Sequence, residues 1–229
     1  MKDPKTSCTV VDYKCKCFEV LTDEELKLIS ENEVMVTYKR GETICKQGTF
    51  ASHIVIMEEG LAKVSVEDCG KSLILKIIPE GNMIGLTAIS DHNNTFQYSA
   101  SAYVDSRARL IDIKIFKKIV KQNPSFSFEL LNLLAANNVQ IYGRFFCLTN
   151  KQSYGKLADI LLCLVDRVYK KRSFDLLLSR KDLAELSDMS TENVIRMIKK
   201  FKDDGLIELS GKKFSVLNYD GLKQISALG

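Results

Sequence analysis

The chain has 229 residues, a net charge of +4 and 27% charged residues, so it is long enough for one large domain or two ordinary ones and has the balance of a soluble globular protein. No run of 18 apolar residues occurs, which excludes a membrane-spanning helix, and the interrupted N-terminus "MKDPKTSCTVVDYKCKCF" lacks a signal-peptide core, so the expected location is cytoplasmic, with no membrane partner. The seven cysteines are odd in number and irregularly spaced, which argues against a secreted disulfide framework and for reduced thiols.

In chain order, "LTDEELKLISE" (21–31) opens with Thr22 and Glu25 in capping-box spacing and reads as a helix. Six of the twelve glycines then fall between positions 41 and 85, and short β-rich runs lie among them: "HIVIM" (53–57), "LAKVSV" (61–66) and "SLILKII" (72–78). "ARLIDI" (108–113) follows later. Short strands separated by glycine turns predict an antiparallel sandwich or jelly roll, with "EDCGKS" (67–72) as a hairpin turn. "IFKKIVKQN" (115–123) predicts a short helix that stops before Pro124.

The segment 125–150 is apolar and helical in period. Leu131, Asn138 and Phe145 recur every seven residues, and Leu134, Ile141 and Leu148 interleave with them, as in a coiled-coil seam. This predicts a homodimer through Leu131, Leu134, Asn138, Ile141 and Phe145, with a helix packed in its own core as the other reading. "SYGKLADILLCLVDRVYKK" (153–171) is a further amphipathic helix, with Leu157, Ile160, Leu161, Leu164 and Val168 as its stripe and Cys163 packing as a small buried group. The expected division is a β-rich domain over 1–124, a linking helix over 125–150 and a second domain over 151–229.

Charge is uneven between these parts. Residues 151–229 hold 15 Lys and Arg against 11 Asp and Glu, whereas residues 1–150 are balanced at 18 each. All of the net positive charge therefore lies in the last third, which favours a nucleic-acid partner there. Within it, Ser179 and Asp182 make a second capping box, so a helix starts at Arg180 with Leu183, Ala184 and Leu186 inward. "SDM" (187–189) is a turn. Ser190 caps the next helix, whose inward side is Val194, Met197, Ile198 and Phe201. Thr191, Glu192, Asn193, Ile195, Arg196 and Lys199 point outward, and Lys200 and Lys202 extend the basic edge. Two helices across a short turn, the second basic outside, predict a helix-turn-helix. "GLIELSGKKFSVL" (205–217) adds a β-hairpin wing about the turn dipeptide Ser210–Gly211, with Lys212 and Lys213 at its tip for phosphates.

Three segments carry a family resemblance: "RGETICKQGTFASHIVIMEEGLAKV" (40–64), "IPEGNMIGLTAI" (78–89) and "SRKDLAELSDMSTENVIRMIKKFKDDGLIEL" (179–209). Nearly the whole chain resembles the superfamily of bacterial regulators typified by the cyclic-AMP receptor protein and the fumarate–nitrate reduction regulator. The resemblance implies an α+β fold: an N-terminal double-stranded β-helix of the cyclic-nucleotide-binding type, a long dimerisation helix and a C-terminal winged helix-turn-helix. It implies a homodimeric transcription regulator that places paired recognition helices in successive major grooves of a palindromic duplex, with RNA polymerase as a partner where it activates. Matched to the family pattern, Ser190, Thr191, Glu192 and Arg196 are the base-reading positions; Glu192 suits a cytosine amino group and Arg196 a guanine edge. Arg180, Asn193, Lys199, Lys212 and Lys213 complete the expected DNA surface. Thr191 stands where the cyclic-AMP receptor branch has arginine, and Asp188 where a turn glycine is common.

The expected effector pocket is Ile84, Gly85, Leu86, Tyr98 and Ser99. The family's cyclic-nucleotide binders place Glu and Arg where this chain has Leu86 and Tyr98, and no arginine lies between Gly85 and Arg107. A buried phosphate without a cation is costly, so cyclic AMP is not expected to bind in the usual way. The cofactor is left unknown. The fumarate–nitrate regulator branch raises an iron–sulfur cluster on Cys8, Cys15 and Cys17, although the C-x6-C-x-C spacing departs from that branch and its β-roll cysteine position is Ile111 here. Cys45 or Cys69 supplies a fourth ligand only if the fold brings one close; thiol chemistry at Cys15 and Cys17 and incidental cysteines or a vestigial site are the other options. His53 and His92, the two histidines, are the candidates for haem. No G-x-x-x-x-G-K-[ST], G-x-S-x-G, H-E-x-x-H or paired C-x2-C occurs, so an enzyme is not expected. A ligand-binding adaptor without DNA recognition is the rival from another class.

Overall fold

The structure, a computed structural model, describes residues 16–229. They form two compact units, one reaching to Asn138 and one from Val139 to Gly229. In the first, a 3-10 turn over Cys17–Val20 leads into α1 (Asp23–Ser30). Thr22 and Glu25 close the expected capping box, and Asn123 Nδ2 donates to the same Glu25 carboxylate at 2.9 Å. Eight strands follow: β1 (Glu33–Tyr38), β2 (Thr43–Cys45), β3 (His53–Glu59), β4 (Leu61–Asp68), β5 (Lys71–Pro79), β6 (Met83–Ile84), β7 (Ser99–Ala102) and β8 (Ser106–Asp112).

These strands make two antiparallel four-stranded sheets, ordered β1-β8-β3-β6 and β2-β7-β4-β5. One core cluster draws Tyr38, Val55, Met57, Ile84 and Ala108 from the first sheet and Ile44, Cys45, Ala62, Val64, Ile78, Ala100 and Ala102 from the second. It is the interior of a β-roll, the jelly roll that the glycine-spaced strands predict. β3 is covered on both faces. Val55 and Met57 face that interior, while Ile54 and Ile56 join a second cluster with Ile29, Ile111, Phe116 and Phe126. This explains why "HIVIM" is apolar throughout instead of alternating. At the β4–β5 turn Cys69 and Gly70 both have positive φ, the backbone of a tight two-residue hairpin. Gly60 is also obligatory: its φ is +94°, and a Cβ there would stand 2.3 Å from Ser106 Oγ.

Two helices close this unit, α2 (Ile113–Gln122) and α3 (Pro124–Asn150). α2 starts two residues earlier than the sequence suggests, because Asp112 caps it by accepting from Lys114 N and Ile115 N. Pro124 ends α2 and becomes the first residue of α3, where its missing N–H is harmless, and Asn123 accepts from Phe126 N at 3.0 Å. α3 runs 27 residues and through the position where one compact unit gives way to the other.

The second unit continues with α4 (Ser153–Cys163), whose last turns widen to π spacing over Leu164–Tyr169 and end at Lys170 in the left-handed region. Then come β9 (Ser173–Asp175), α5 (Arg180–Ser187), α6 (Thr191–Asp203), β10 (Ile207–Ser210), β11 (Lys213–Val216) and α7 (Tyr219–Leu228). β10 and β11 form the expected hairpin, but its two-residue turn is Gly211–Lys212, one position beyond the dipeptide read from the sequence. β9 extends it to three strands in the order β10-β11-β9, with the Phe174 ring stacked on Tyr169 at 3.8 Å and tilted against Phe214 at 5.1 Å. No described helix is long and apolar enough to cross a membrane.

Candidate nucleic-acid interface and sensor site

α5 and α6 are positioned by their caps and by the turn between them. Ser179 and Asp182 satisfy the first turn of α5 reciprocally. The chain then reverses at Asp188, which takes φ +50°, ψ +52° where a glycine would be strain-free. Ser190 Oγ accepts from Asn193 N at 3.2 Å and starts α6. Val194, Met197, Ile198 and Phe201 are buried beneath α6, and Phe201 meets the Tyr154 ring edge-on at 5.0 Å. Glu192, Ile195, Arg196 and Lys199 are exposed on the opposite face, with Thr191 and Asn193 half-buried beside them. Arg196 donates to Asn193 Oδ1 at 2.6 Å, so the guanidinium is steered along the helix face. The backbone N–H at the start of α6 and the Ser190 hydroxyl hold the Glu192 carboxyl below its ordinary pKa, which keeps it an anionic acceptor.

The basic edge read from the sequence divides. Lys199 lines a cleft of about 340 Å³ with the half-buried Arg180, Ile195, Ile198, Lys202 and Leu209. Lys202 donates from there to the Leu209 carbonyl at 3.2 Å. Lys200 turns away and lies 4.6 Å over the Tyr154 ring, a cation–π contact inside its own unit. Lys212 and Lys213 are exposed at the wing tip, and Leu176 N holds the Lys212 carbonyl at 2.8 Å.

Sequence reasoning missed a polar group beneath this face. Arg144, buried on α3, donates to the Leu186 carbonyl at the end of α5. Lys151 pairs with buried Asp159 at 2.7 Å, and Ser226 of α7 donates to the same carboxylate. Burial, with Asp159 beside it, pushes the Cys147 thiol up to about 12. The available signal was Asp159 itself, a charge inside the apolar stripe "LADILL".

Of the residues expected to form an effector pocket, Ile84, Gly85 and Tyr98 come together, while Leu86 and Ser99 face elsewhere. Ile84 and Tyr98 belong to the β-roll interior, whereas Leu86 belongs to the cluster that packs on the helices. Ser99 is opposite Ser65 on the other face of the sheet and accepts from Gln47 N at 3.1 Å. Gly85, at φ +98° with a Cβ site 3.2 Å from the Phe96 ring, gives its N–H to the Tyr98 hydroxyl at 2.8 Å. That backbone donor is therefore already used inside the fold.

The described cysteines named for a cluster are likewise separated. Cys8 and Cys15 lie outside the described residues. Cys17 is buried in the helix-side cluster and Cys45 in the β-roll interior, while Cys69 is exposed, so neither expected fourth ligand joins Cys17. Burial raises the Cys45 thiol to about 11. Among the described residues no group of three or more metal-binding side chains forms. His53 is half-buried against Phe96, its Nδ1 bonded to Ser52 Oγ at 2.9 Å, and His92 is exposed.

The five residues of the expected seam share a different property. Leu131, Leu134, Asn138, Ile141 and Phe145 are all exposed. α3 is held to the β-roll by another row, Phe126, Leu130 and Leu133. The heptad row is thus left uncovered by the chain itself.

A cyclic-nucleotide-type β-roll, a long helix and a winged helix-turn-helix with a polar, basic recognition face define a DNA-binding regulator. Comparison with known proteins agrees. Residues 35–123 match the model of the cyclic nucleotide-binding domain, and residues 155–225 that of the Crp-like helix-turn-helix domain. The transcriptional activator protein anr of Pseudomonas aeruginosa is 23% identical over 185 residues, covering 79% of this chain and 75% of that protein. The fumarate and nitrate reduction regulatory protein of Escherichia coli K12 is 22% identical over 194 residues, covering 82% and 76%. Among solved structures, a crp/fnr-family regulator from Eubacterium rectale superposes with a TM-score of 0.78 at 20% identity, covering 93% of this chain and 98% of that one. FixK2 from Bradyrhizobium japonicum gives 0.78 at 18%, covering 86% and 98%. The chain belongs to the Crp/Fnr superfamily of transcription regulators.

Proposed function

We propose that this regulator acts as a homodimer joined through the bare row of α3, that each α6 reads one half of a palindromic site, and that the β-roll receives a signal other than cyclic AMP. The division of labour is the β-roll with its flanking helices up to position 124, the α3 linker over 125–150 and the winged helix over 151–229. The observation that carries this reading is the two-sidedness of α6. Its apolar side is sealed into its own unit, while Glu192, Arg196 and Lys199 stand free on the other. A buried face fixes the helix, and an exposed one with a carboxylate acceptor and a guanidinium donor suits base edges in a major groove. Ser190, Thr191 and Asn193 begin that face, and Arg180, Lys212 and Lys213 flank it as phosphate contacts. Half-sites about one helical turn apart follow from two-fold symmetry. On a promoter where the protein activates, RNA polymerase is the further partner. The exposed basic face also favours DNA recognition over a ligand-binding adaptor.

The test is selection of sites from a random duplex library, followed by binding titrations. A palindrome bound tightly by the wild type and at least about tenfold more weakly by Arg196→Ala supports the reading. Absence of any enriched palindrome under every redox condition and effector tried refutes it. Redox sensing is a second reading, favoured by the similarity to the fumarate and nitrate reduction regulatory protein. It requires duplex affinity to change when the protein is reduced, and an unchanged affinity rejects it. A cluster or a haem on Cys8, Cys15, Cys17 or His53 would show itself in the absorption spectrum and iron content of anaerobically purified protein.

A further inference from the structure

From Val139 to its end at Asn150, α3 buries three residues: Gly143, Arg144 and Cys147. Gly143 has no side chain and Cys147 a short one, so Arg144 supplies the reach. Its guanidinium crosses to α5 and donates to the Leu186 carbonyl. The last four carbonyls of a helix have no partner within it. At the end of α5 the Ala184 carbonyl is met locally, by Asp188 N and by Met189 N at 3.1 Å. The Leu186 carbonyl is met from α3 instead. A cation at that end also answers the negative pole of the helix.

Leu186 lies four positions before Ser190, the cap of α6, and the residues between them make the turn that reverses at Asp188. Burial pulls the Arg144 pKa below its ordinary value, while Cys147, Asp159 and Asp188 act the other way. The guanidinium therefore sits among groups of α3, α4 and that turn. Asp159 in its place holds Lys151 at 2.7 Å and accepts from Ser226 of α7. On its other side the same stretch of α3 carries the bare row. Arg144 falls between Ile141 and Phe145, 58% and 67% exposed, which are about one helical turn apart. The apolar side of α6 is sealed into its unit by Val194, Met197, Ile198 and Phe201 without help from Arg144. What Arg144 adds is a fixed relation between the turn before α6 and the seam end of α3.

We propose that Arg144 is a positioning residue for DNA reading: through the Leu186 carbonyl it holds the turn before α6 against the seam end of α3, and so sets the spacing of half-sites that the dimer accepts. This rests on the reading of a homodimer on a palindrome, and it names the residue that fixes the geometry of that homodimer. At 6% exposure Arg144 is out of reach of bases and phosphates, so it acts through the placement of α6. Two-fold symmetry makes any change of placement count in both halves.

The test uses the full chain and duplexes built on the palindrome that the wild type selects. One set keeps its spacing, a second lengthens or shortens the spacing by one base pair, and a third changes the base pair read by Arg196. One base pair moves a half-site by about 3.4 Å and about a tenth of a turn. The wild type should prefer its own spacing by at least about tenfold, and Arg144→Met should cut that preference below about threefold. The penalty for the changed base pair should stay as in the wild type. Lost folding lowers affinity for every duplex in proportion, so the ratio between spacings separates placement from stability. Arg144→Gln is the second variant for the case that Arg144→Met does not fold, and it should relax the ratio likewise. Arg144→Lys keeps the charge and a donor and should stay nearer the wild-type ratio than Arg144→Met. A wild-type ratio in either folded neutral variant overturns the proposal, whatever the melting temperature. So does an Arg144→Lys protein as relaxed as the neutral variants, or a base-pair penalty that disappears together with the spacing preference. A wild type that selects a palindrome while Arg144→Met keeps its ratio removes only the role of Arg144. A wild type that selects no palindrome removes the homodimer reading and this role with it.

Discussion

Ile141→Ala should weaken the dimer without weakening the fold. Ile141 is 58% exposed in the single chain and Phe145 67%, so their own chain gains little from them. Full burial of such a side chain contributes ~1.5–3 kcal/mol. Scaled by the exposed fraction, Ile141 has about 1–2 kcal/mol left to gain from a partner. In a two-fold interface the substitution counts twice, giving ~2–4 kcal/mol, or a dimer dissociation constant raised roughly 30- to 1,000-fold. Alanine is the best helix former, so α3 itself should not suffer. Leu130→Ala is the contrast. Leu130 is 4% exposed and packs on the β-roll, so its loss should cost ~2–5 kcal/mol of folding stability and leave association near the wild-type value. Sedimentation equilibrium and denaturant unfolding read the two quantities separately. An Ile141→Ala protein with wild-type association would refute the seam.

Three further outcomes follow from the site. Arg196→Ala should lose about 1–3 kcal/mol per half-site and relax specificity at one base pair in each, whereas Lys199→Ala should weaken all sequences alike and flatten the salt dependence by about one unit per half-site, both read by binding titrations at several salt concentrations. Tyr98→Phe leaves the Gly85 N–H without its 2.8 Å acceptor and should cost ~1–3 kcal/mol in urea unfolding; an unchanged midpoint would mean that this hydroxyl does not hold the turn. Burial lowers the pKa of His53 below 6.5, so the unfolded chain binds its proton first as pH falls. Its contribution to stability is complete above pH 6.5 and is lost as pH falls through the folded value, and His53→Phe should flatten that part of the profile.

Local chemistry made much of the fold readable. Thr22 with Glu25, Ser179 with Asp182 and Ser190 each mark a helix start by a side chain that satisfies a backbone N–H a few residues on, and such signals need no tertiary context. What escaped depends on contacts distant in sequence. β9 exists because Phe174 finds Phe214 and Tyr169, and three residues with no period of their own carry no signal. α7 passed unread, although Asn218 caps it by accepting from Gly221 N at 2.8 Å. The basic edge of α6 was legible as charge but not as direction. Lys200 finds Tyr154 and Lys202 finds the Leu209 carbonyl, so that part of the edge serves the unit's own packing. At the expected effector pocket the direction of Ser99 was set by strand register, which pairs it with Ser65 on the face away from the β-roll interior.

The two rows of α3 make a signal transmissible in principle. Leu86 shares one core cluster with Phe126, Leu130 and Leu133 of that helix. It follows directly on Gly85, whose N–H is held by Tyr98 from the β-roll interior. Interior and helix are therefore joined through this short turn as well as through β3. Protein interiors are close-packed, so a ligand that displaces Tyr98 must move Gly85 and Leu86, and then the inner row of α3. The bare row is on the same helix and cannot stay still when the inner row moves. A ligand shifts this equilibrium only by its difference in affinity between the two arrangements. Tyr98→Phe, which loosens the turn without any ligand, should therefore alter duplex affinity in the ligand-free protein. The same substitution leaving duplex affinity unchanged, despite lowered stability, would place the coupling outside the Gly85–Leu86 turn.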